Sequence, residues 1–224
     1  MEGKIGCDVV QKLRCEMREI SRRLFARRLV SGTSGNISVR IPKSPQSPQR
    51  PQYSQSPNSS EYFLIKASGK SFEDVAEEEF LLVNFAGEIL SGQGVPSMEM
   101  PFHRGIYSVR PDVQAVVHGH SAYATAYVMT EKQLPAMTVE ARLGLGSIGI
   151  VSYAHPGSGE LTAKVTEIFR EEDMRAAILC DHGFITVGES LKTAYYLADV
   201  LEENAKVAYL KHTLEMFLNE GGFK

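Results

Sequence analysis

Three of the chain's six histidines stand where their spacing could do chemistry. In Val116-Val117-His118-Gly119-His120, two imidazoles lie two residues apart in an apolar run. On a strand such residues share a face. Their Cα atoms are then about 6.6 Å apart, and both rings can converge on one cation through bonds of about 2.1 Å. Gly119 keeps the position between them clear. The third imidazole, His182 in Cys180-Asp181-His182-Gly183, closes another apolar segment. A buried ring there needs a partner, either a hydrogen-bonding group of the core or a metal. Joined to the H-x-H pair, it completes three neutral nitrogen donors, the usual set for a catalytic zinc with one open position. Pro96-Ser97-Met98-Glu99, with His103 one helical turn on, adds a carboxylate where a helix dipole favours one. Beside a divalent cation Glu99 can be a fourth ligand or a base. Alone it is an ordinary acidic residue of a first helical turn.

The elements that must position these groups are readable from periodicity. Val9 to Leu29 carries Val9, Leu13, Met17, Ile20, Leu24 and Phe25 at three- and four-residue steps, an amphipathic helix with one buried face. Its basic pairs, Arg22-Arg23 and Arg27-Arg28, read as a solvated face near the helix C-terminus. A turn-rich loop, Ser31 to Asn36, precedes a strand at Ile37 to Ile41. Further strands are expected at Tyr62 to Ala67, Phe80 to Asn84, Val113 to His118, Ala176 to Cys180 and Phe184 to Val187. Gly144 to Ser152 reads as a buried strand or turn. Helices are expected from Ser97, as N-cap, to Ser108, and at Ala122 to Met129, Gly159 to Arg170 and Glu189 to Asn219. Pro42 to Ser60 holds five of the ten prolines among Ser and Gln. It has too little apolar surface to order itself, so residues 42–60 form a mobile loop inside an elongated hairpin. Strands and helices mix irregularly. The expected fold is a single α/β domain over residues 1–224, with a central, mostly antiparallel sheet flanked by helices.

Composition sets the outer limits. The 224 residues are 43% hydrophobic and 23% charged, which excludes wholesale disorder. With 24 Lys+Arg against 27 Asp+Glu the net charge is −3, no electrostatic footprint for nucleic acid. No apolar run reaches the roughly 18 residues of a membrane span, and no signal-peptide pattern opens the chain. Cys7, Cys15 and Cys180 are too scattered for a disulfide framework. A cytoplasmic protein acting on a small molecule, without nucleic-acid or membrane partners, is the reading that remains.

Five segments, in order, carry a resemblance: Ser34-Gly35-Asn36-Ile37-Ser38-Val39-Arg40, Lys66-Ala67-Ser68-Gly69, Pro96 to His103, Arg110 to Ser121, and Cys180-Asp181-His182-Gly183. Together they resemble the class II aldolase/adducin family, nearest in flavour to its fuculose-phosphate aldolases, over nearly the whole chain apart from the Pro/Gln/Ser insertion. The resemblance implies that His118, His120 and His182 are metal ligands. It implies that Glu99 ligates the resting metal and swings away to move a proton. Gly35, Asn36, Ser68, Gly69 and Ser97 are implied to hold the substrate's phosphate. Zn2+ is the implied ion, with Mn2+ or Fe2+ as alternatives. The implied assembly is a homotetramer with active sites at subunit boundaries.

The implied reaction is retro-aldol cleavage of a sugar phosphate, the cation acting as a Lewis acid on an enediolate whose proton Glu99 exchanges. Two positions depart from the pattern. Met98 stands where fuculose-phosphate aldolases carry a second serine, and no tyrosine stands near Thr138 to Glu140, where their proton donor falls. Glu140 is a substitute donor or a plain surface glutamate; His155 and His212 read as residues without catalytic duty. Decarboxylation of an oxo acid, epimerisation and dehydration all remain open on the same scaffold. So does a non-catalytic module like the adducin head, to which the full set of three histidines and Glu99 runs counter.

Overall fold

Alternation along each strand builds two cores on either side of one sheet. A computed structural model of the chain describes residues 7–42, 62–130 and 133–219. Strand β1 (Asn36–Arg40) sends Ile37 and Val39 into one core, while Ser38 and Arg40 face the other side. β2 (Tyr62–Lys66) divides in the same way, Leu64 into the first core and Phe63 and Ile65 into the second. In β5 (Ala115–Gly119), Ala115 and Val117 take the first and Val116 the second. Both faces are covered, so even Ser38 and Arg40 on the second face are buried.

The remaining strands are β3 (Phe80–Asn84), β4 (Ile89–Ser91), β6 (Ile148–Val151), β7 (Ala176–Leu179) and β8 (Gly183–Gly188). They join in the order β4-β3-β2-β1-β5-β8-β7-β6, with β6–β7 parallel and the other pairs antiparallel. The first core is closed by α1 (Cys7–Ala26), α3 (Ala122–Thr130), α4 (Val139–Gly144) and α6 (Leu191–Asn219). The second is closed by α2 (Met100–Val109), through Phe102, Ile106 and Tyr107, and by α5 (Gly159–Ile168), through Leu161 and Val165. Each such fully buried apolar side chain contributes roughly 1.5–3 kcal/mol. The described residues thus form a single α/β domain with a mostly antiparallel sheet flanked by helices, as expected.

Several boundaries differ from the periodic reading. α1 stops at Ala26, where Arg28 turns left-handed (φ 57°) and the Leu29 amide donates to Leu24 O at 3.0 Å. Leu29 and Val30 stay apolar because they are buried in the loop beyond. α2 begins at Met100, not Ser97: the Ser97 hydroxyl accepts from the Glu99 amide (3.2 Å) and from Asn36 (2.9 Å), so it is engaged in the preceding turn. α4 and β4 carry weak signals, being short and largely exposed at their apolar positions. Apart from Pro42, the proline-rich stretch lies outside the described residues. Arg22, Arg23, Arg27 and Arg28 are exposed, with Arg23 paired to Glu19 and Arg27 to Asp199. Among the described residues no helix is long and apolar enough to cross a membrane.

Gly119 is a packing position as well as a spacer. A Cβ there would stand 2.5 Å from Leu29 O and 2.5 Å from the Phe184 ring. Gly119→Ala should therefore destabilise the fold by about 1–3 kcal/mol, the usual cost of overpacking, read as a lower urea midpoint. An unchanged midpoint would mean this contact is not close-packed.

Candidate metal centre

Register brings the chemistry to one end of the sheet. β5 lies between β1 and β8, with Asn36 opposite His118 and Phe184 opposite Gly119. His120 follows the strand directly, its amide donating to Leu29 O at 2.8 Å. His182 sits in the β7–β8 turn, behind Asp181 in the left-handed region (φ 58°), and its amide donates to Leu179 O at 3.1 Å. Glu99 stands just before α2. The chain needs no long loop to assemble the cluster, only neighbouring strand ends and one helix start.

The three imidazoles surround a single point. Their ring centroids are 4.9 Å apart in every pairing, and their potential ligand atoms all lie within 4.8 Å of one another. The Glu99 carboxylate closes the set, with Oε2 3.1 Å from His118 Nε2 and Oε1 3.3 Å from His182 Nε2. His118 Nδ1–H donates to Phe184 O at 2.8 Å, which leaves Nε2 as a bare lone pair. That lone pair meets His120 Nε2 at 3.0 Å as well as the carboxylate. Such a contact becomes attractive only with a proton or a cation between the atoms. One shared proton relieves one contact, whereas one divalent cation relieves them all. Glu99 Oε1 is also buried without a hydrogen-bond partner. The donor set therefore fits a divalent ion, and the His118 bond to Phe184 O is the outer contact that commonly fixes a metal-binding ring.

Charge and burial prepare the same state. Burial, with the neighbouring His118, pushes His120 down to about 3 and His182 down to about 4, so both are neutral lone-pair donors near pH 7. Burial opposes ionisation of Glu99, but the facing His118 and His182 rings and the Asn36 amide prevail and hold its carboxyl well below the usual range.

A cleft of about 390 Å³ opens on this cluster. Gly35, Asn36, Ser68, Gly69, Ser97, Glu99, His120 and His182 line it, and His118 lies fully buried behind them. The cluster and the loops expected to hold an anion thus share one wall. A Cβ on Gly35 (φ +77°) would stand 2.7 Å from His118 O, so this loop can approach β5 only with glycine. Met98 forms an exposed part of the rim, beside Gly157. Glu140 is exposed on α4 and outside the cleft; His155 and His212 are exposed and outside it too. Among the described residues, no tyrosine lines the cleft.

Two further groups stand in the sequence motifs but have no role assigned from sequence. Lys66 lines the cleft although its side chain is buried; Nζ donates to Lys70 O (2.6 Å) and Ala67 O (3.3 Å) and lies 4.8 Å from the Phe72 ring centroid. Burial pushes its ammonium down to about 8, against the pull of Glu79. A lysine inside the apolar run Phe63 to Ala67 was the available signal. His103 is fully buried behind Asn36, and burial, then the nearby His118, pushes it down to about 3. Its signal was the four-residue step from Glu99 along an otherwise buried helix face.

A central sheet between two helical layers, with three histidines and a carboxylate at one end, defines a recognisable class. The chain belongs to the family described as "Class II Aldolase and Adducin N-terminal domain", which it matches over residues 15–209. It is 33% identical over 195 residues to an L-fuculose phosphate aldolase of Methanococcus vannielii, covering 87% of this chain and 94% of that one. A 3-oxo-tetronate 4-phosphate decarboxylase of Escherichia coli O6:H1 is 29% identical over 207 residues, covering 90% and 88%. The crystal structure of L-fuculose-1-phosphate aldolase from Thermus thermophilus superposes with a TM-score of 0.73 at 28% identity, covering 92% of this chain and 96% of that one.

The neutral, buried histidines have a consequence for stability. An unfolded imidazole titrates near 6.5, whereas His120, His182 and His103 do so at about 3 to 4 when folded. Between these values the unfolded chain binds more protons, so stability must fall as pH falls. The urea midpoint of metal-free protein is expected to drop from pH 6.5 toward pH 4, with a shallower slope in His120→Gln. A flat midpoint across that window would contradict neutral burial.

Proposed function

We propose that this chain is a divalent-metal-dependent aldolase that cleaves a C–C bond of a small sugar phosphate. The observation that carries the reading is the convergence of three imidazole nitrogens and a buried carboxylate on one wall of a cleft. His118, His120 and His182 would hold the cation, with Glu99 as a fourth ligand in the resting state. Zn2+ is the favoured ion, with Mn2+ or Fe2+ as the alternatives. When bound, a divalent ion supplies Lewis acidity that stabilises negative charge growing on oxygen.

The chain's own groups do the rest. Gly35, Asn36, Ser68, Gly69 and Ser97 form the anion-binding side of the cleft, backed by the Lys66 cation, and take the substrate's phosphate. Glu99, ionised and near the reacting carbons, returns or removes the proton that interconverts enediolate and ketone. Likeness to fuculose-phosphate aldolases supports this substrate class. In keeping with the same reading the protein is a cytoplasmic homo-oligomer, a tetramer by family likeness. The exposed Tyr209, Leu210, Leu214 and Phe217 on the last turns of α6 are suited to contact between subunits.

A second reading has its own support. Retro-aldol cleavage needs a base for the hydroxyl whose C–C bond breaks, and no tyrosine lines the cleft among the described residues. Loss of CO2 from a 3-oxo acid needs no such base. The decarboxylase relative and the apolar rim at Met98 favour this alternative over epimerisation or dehydration. A non-catalytic binding module would have no use for the complete donor set.

Protein purified without chelator is expected to carry about one zinc or manganese per chain. His120→Ala should lose that metal and the activity together while keeping its circular dichroism spectrum; full metal content in this variant would remove His120 from the ligand set. Glu99→Gln should keep metal but lose roughly 10²–10⁴-fold in turnover, the usual range for a positioned acid–base group. With ketose 1-phosphates, release of dihydroxyacetone phosphate supports the aldolase; CO2 from phosphorylated 3-oxo acids, with no aldehyde, replaces it by the decarboxylase.

A further inference from the structure

A buried row of hydrogen bonds runs from the interior of α2 to the candidate metal centre, and each link dictates the next. Asn36 is 3% exposed, while Ser38 and His103 are fully buried and Tyr107 nearly so. Asn36 presents its amide Nδ2 to Glu99, donating to Oε2 at 2.9 Å. The same Nδ2 donates to Ser97 Oγ at 2.9 Å. Asn36 Oδ1 then faces His103 Nε2, which must carry the ring proton. His103 Nδ1 is left as the acceptor and takes the Ser38 hydroxyl at 2.7 Å. Ser38 Oγ, its hydrogen committed, accepts from the Tyr107 hydroxyl at 2.7 Å.

We infer that His103 is a positioning residue: as its Nε2–H tautomer it locks the Asn36 side-chain amide, and through it sets Glu99 and Ser97. An amide reversed at Asn36 would present Oδ1 to the Glu99 carboxylate, oxygen against oxygen. The imidazole opposes that reversal by donating Nε2–H to Oδ1, while the Ser38 hydroxyl satisfies its Nδ1 lone pair and accepts in turn from Tyr107. The lock has two outputs. It orients the carboxylate that faces His118 and His182. It also places two donors, Asn36 Nδ2 and the Glu99 amide, on Ser97 Oγ. The Ser97 hydroxyl hydrogen is then free to point into the cleft and donate to an anionic group there. This inference rests on the metal-centre reading for its effect on Glu99, but the tautomer itself does not.

Two measurements test it. In metal-free protein labelled with 15N-histidine, His103 should show the neutral Nε2–H signature; an Nδ1–H or doubly protonated ring overturns the lock. Cobalt(II) titration, followed by its visible absorption, supplies the second. His103→Phe removes the donor at similar volume and should weaken cobalt binding by about 10–100-fold, as loss of outer-shell partners does, with an altered band shape. His103→Gln, which keeps an N–H donor, should recover most of the loss. Adding His103→Phe to Asn36→Ala should cost nothing further if histidine acts through asparagine; additive losses overturn that coupling. A wild-type chain that takes up no cobalt defeats the metal reading instead, and the ring tautomer then decides the lock alone.

Discussion

Lone-pair repulsion is the constraint around which this site is organised. Three imidazole nitrogens and two carboxylate oxygens crowd one buried point, and His118 Nε2 meets both His120 Nε2 and Glu99 at about 3 Å. His118 and Glu99 are buried, which leaves little water to screen that contact. A fold that tolerates such crowding must hold each donor rigidly and leave the point between them for a positive charge. Rigidity comes from the backbone: the His118 ring is fixed by Phe184 O, and the amides of His120 and His182 are tied to Leu29 O and Leu179 O.

The sheet is the source of that rigidity. β5 is a central strand, hydrogen-bonded on both sides, so His118 cannot move without breaking two ladders. Its close packing also explains the glycines around it. Gly35 and Gly119 stand where any Cβ would strike His118 O, Leu29 O or the Phe184 ring. Helix α2 contributes in two ways. Its apolar residues Phe102 and Ile106 close the second core, and its polar ones, His103 and Tyr107, reach β1 and order Asn36. One helix face thus serves packing and site geometry together.

The same cleft also holds a cation. Lys66 lies beneath the Ser68–Gly69 loop with its ammonium held by Ala67 O and Lys70 O. A cleft lined by both a cation-seeking cluster and a buried ammonium suits a substrate with a chelating end and an anionic end. Members of this family named as aldolases and as a decarboxylase both carry phosphate in their substrates' names. The reacting carbons are then what separates them, and Met98 lies exposed at the cleft's rim.

Much of this was legible in one dimension because strand and helix periods are local. The alternation in Ile37 to Ile41, the compact apolar run Val113 to His118 and the apolar stripe through Leu191, Ala194, Tyr195, Ala198 and Leu201 marked these segments as strands and a core-facing helix. The H-x-H pair required only that its segment be a strand. Short or exposed elements, α4 and β4, escaped because few residues carry their signal. Only the tertiary structure could decide what depends on register between strands distant in sequence. Asn36 opposite His118, His182 against Glu99, and His103 behind Asn36 are contacts across 67 to 83 residues of chain. Their proton positions, and the displacement of Ser97 from helix cap to site, follow from which donors happen to meet. Residue types determine what each group can donate or accept; only the packed sheet determines which partner is there.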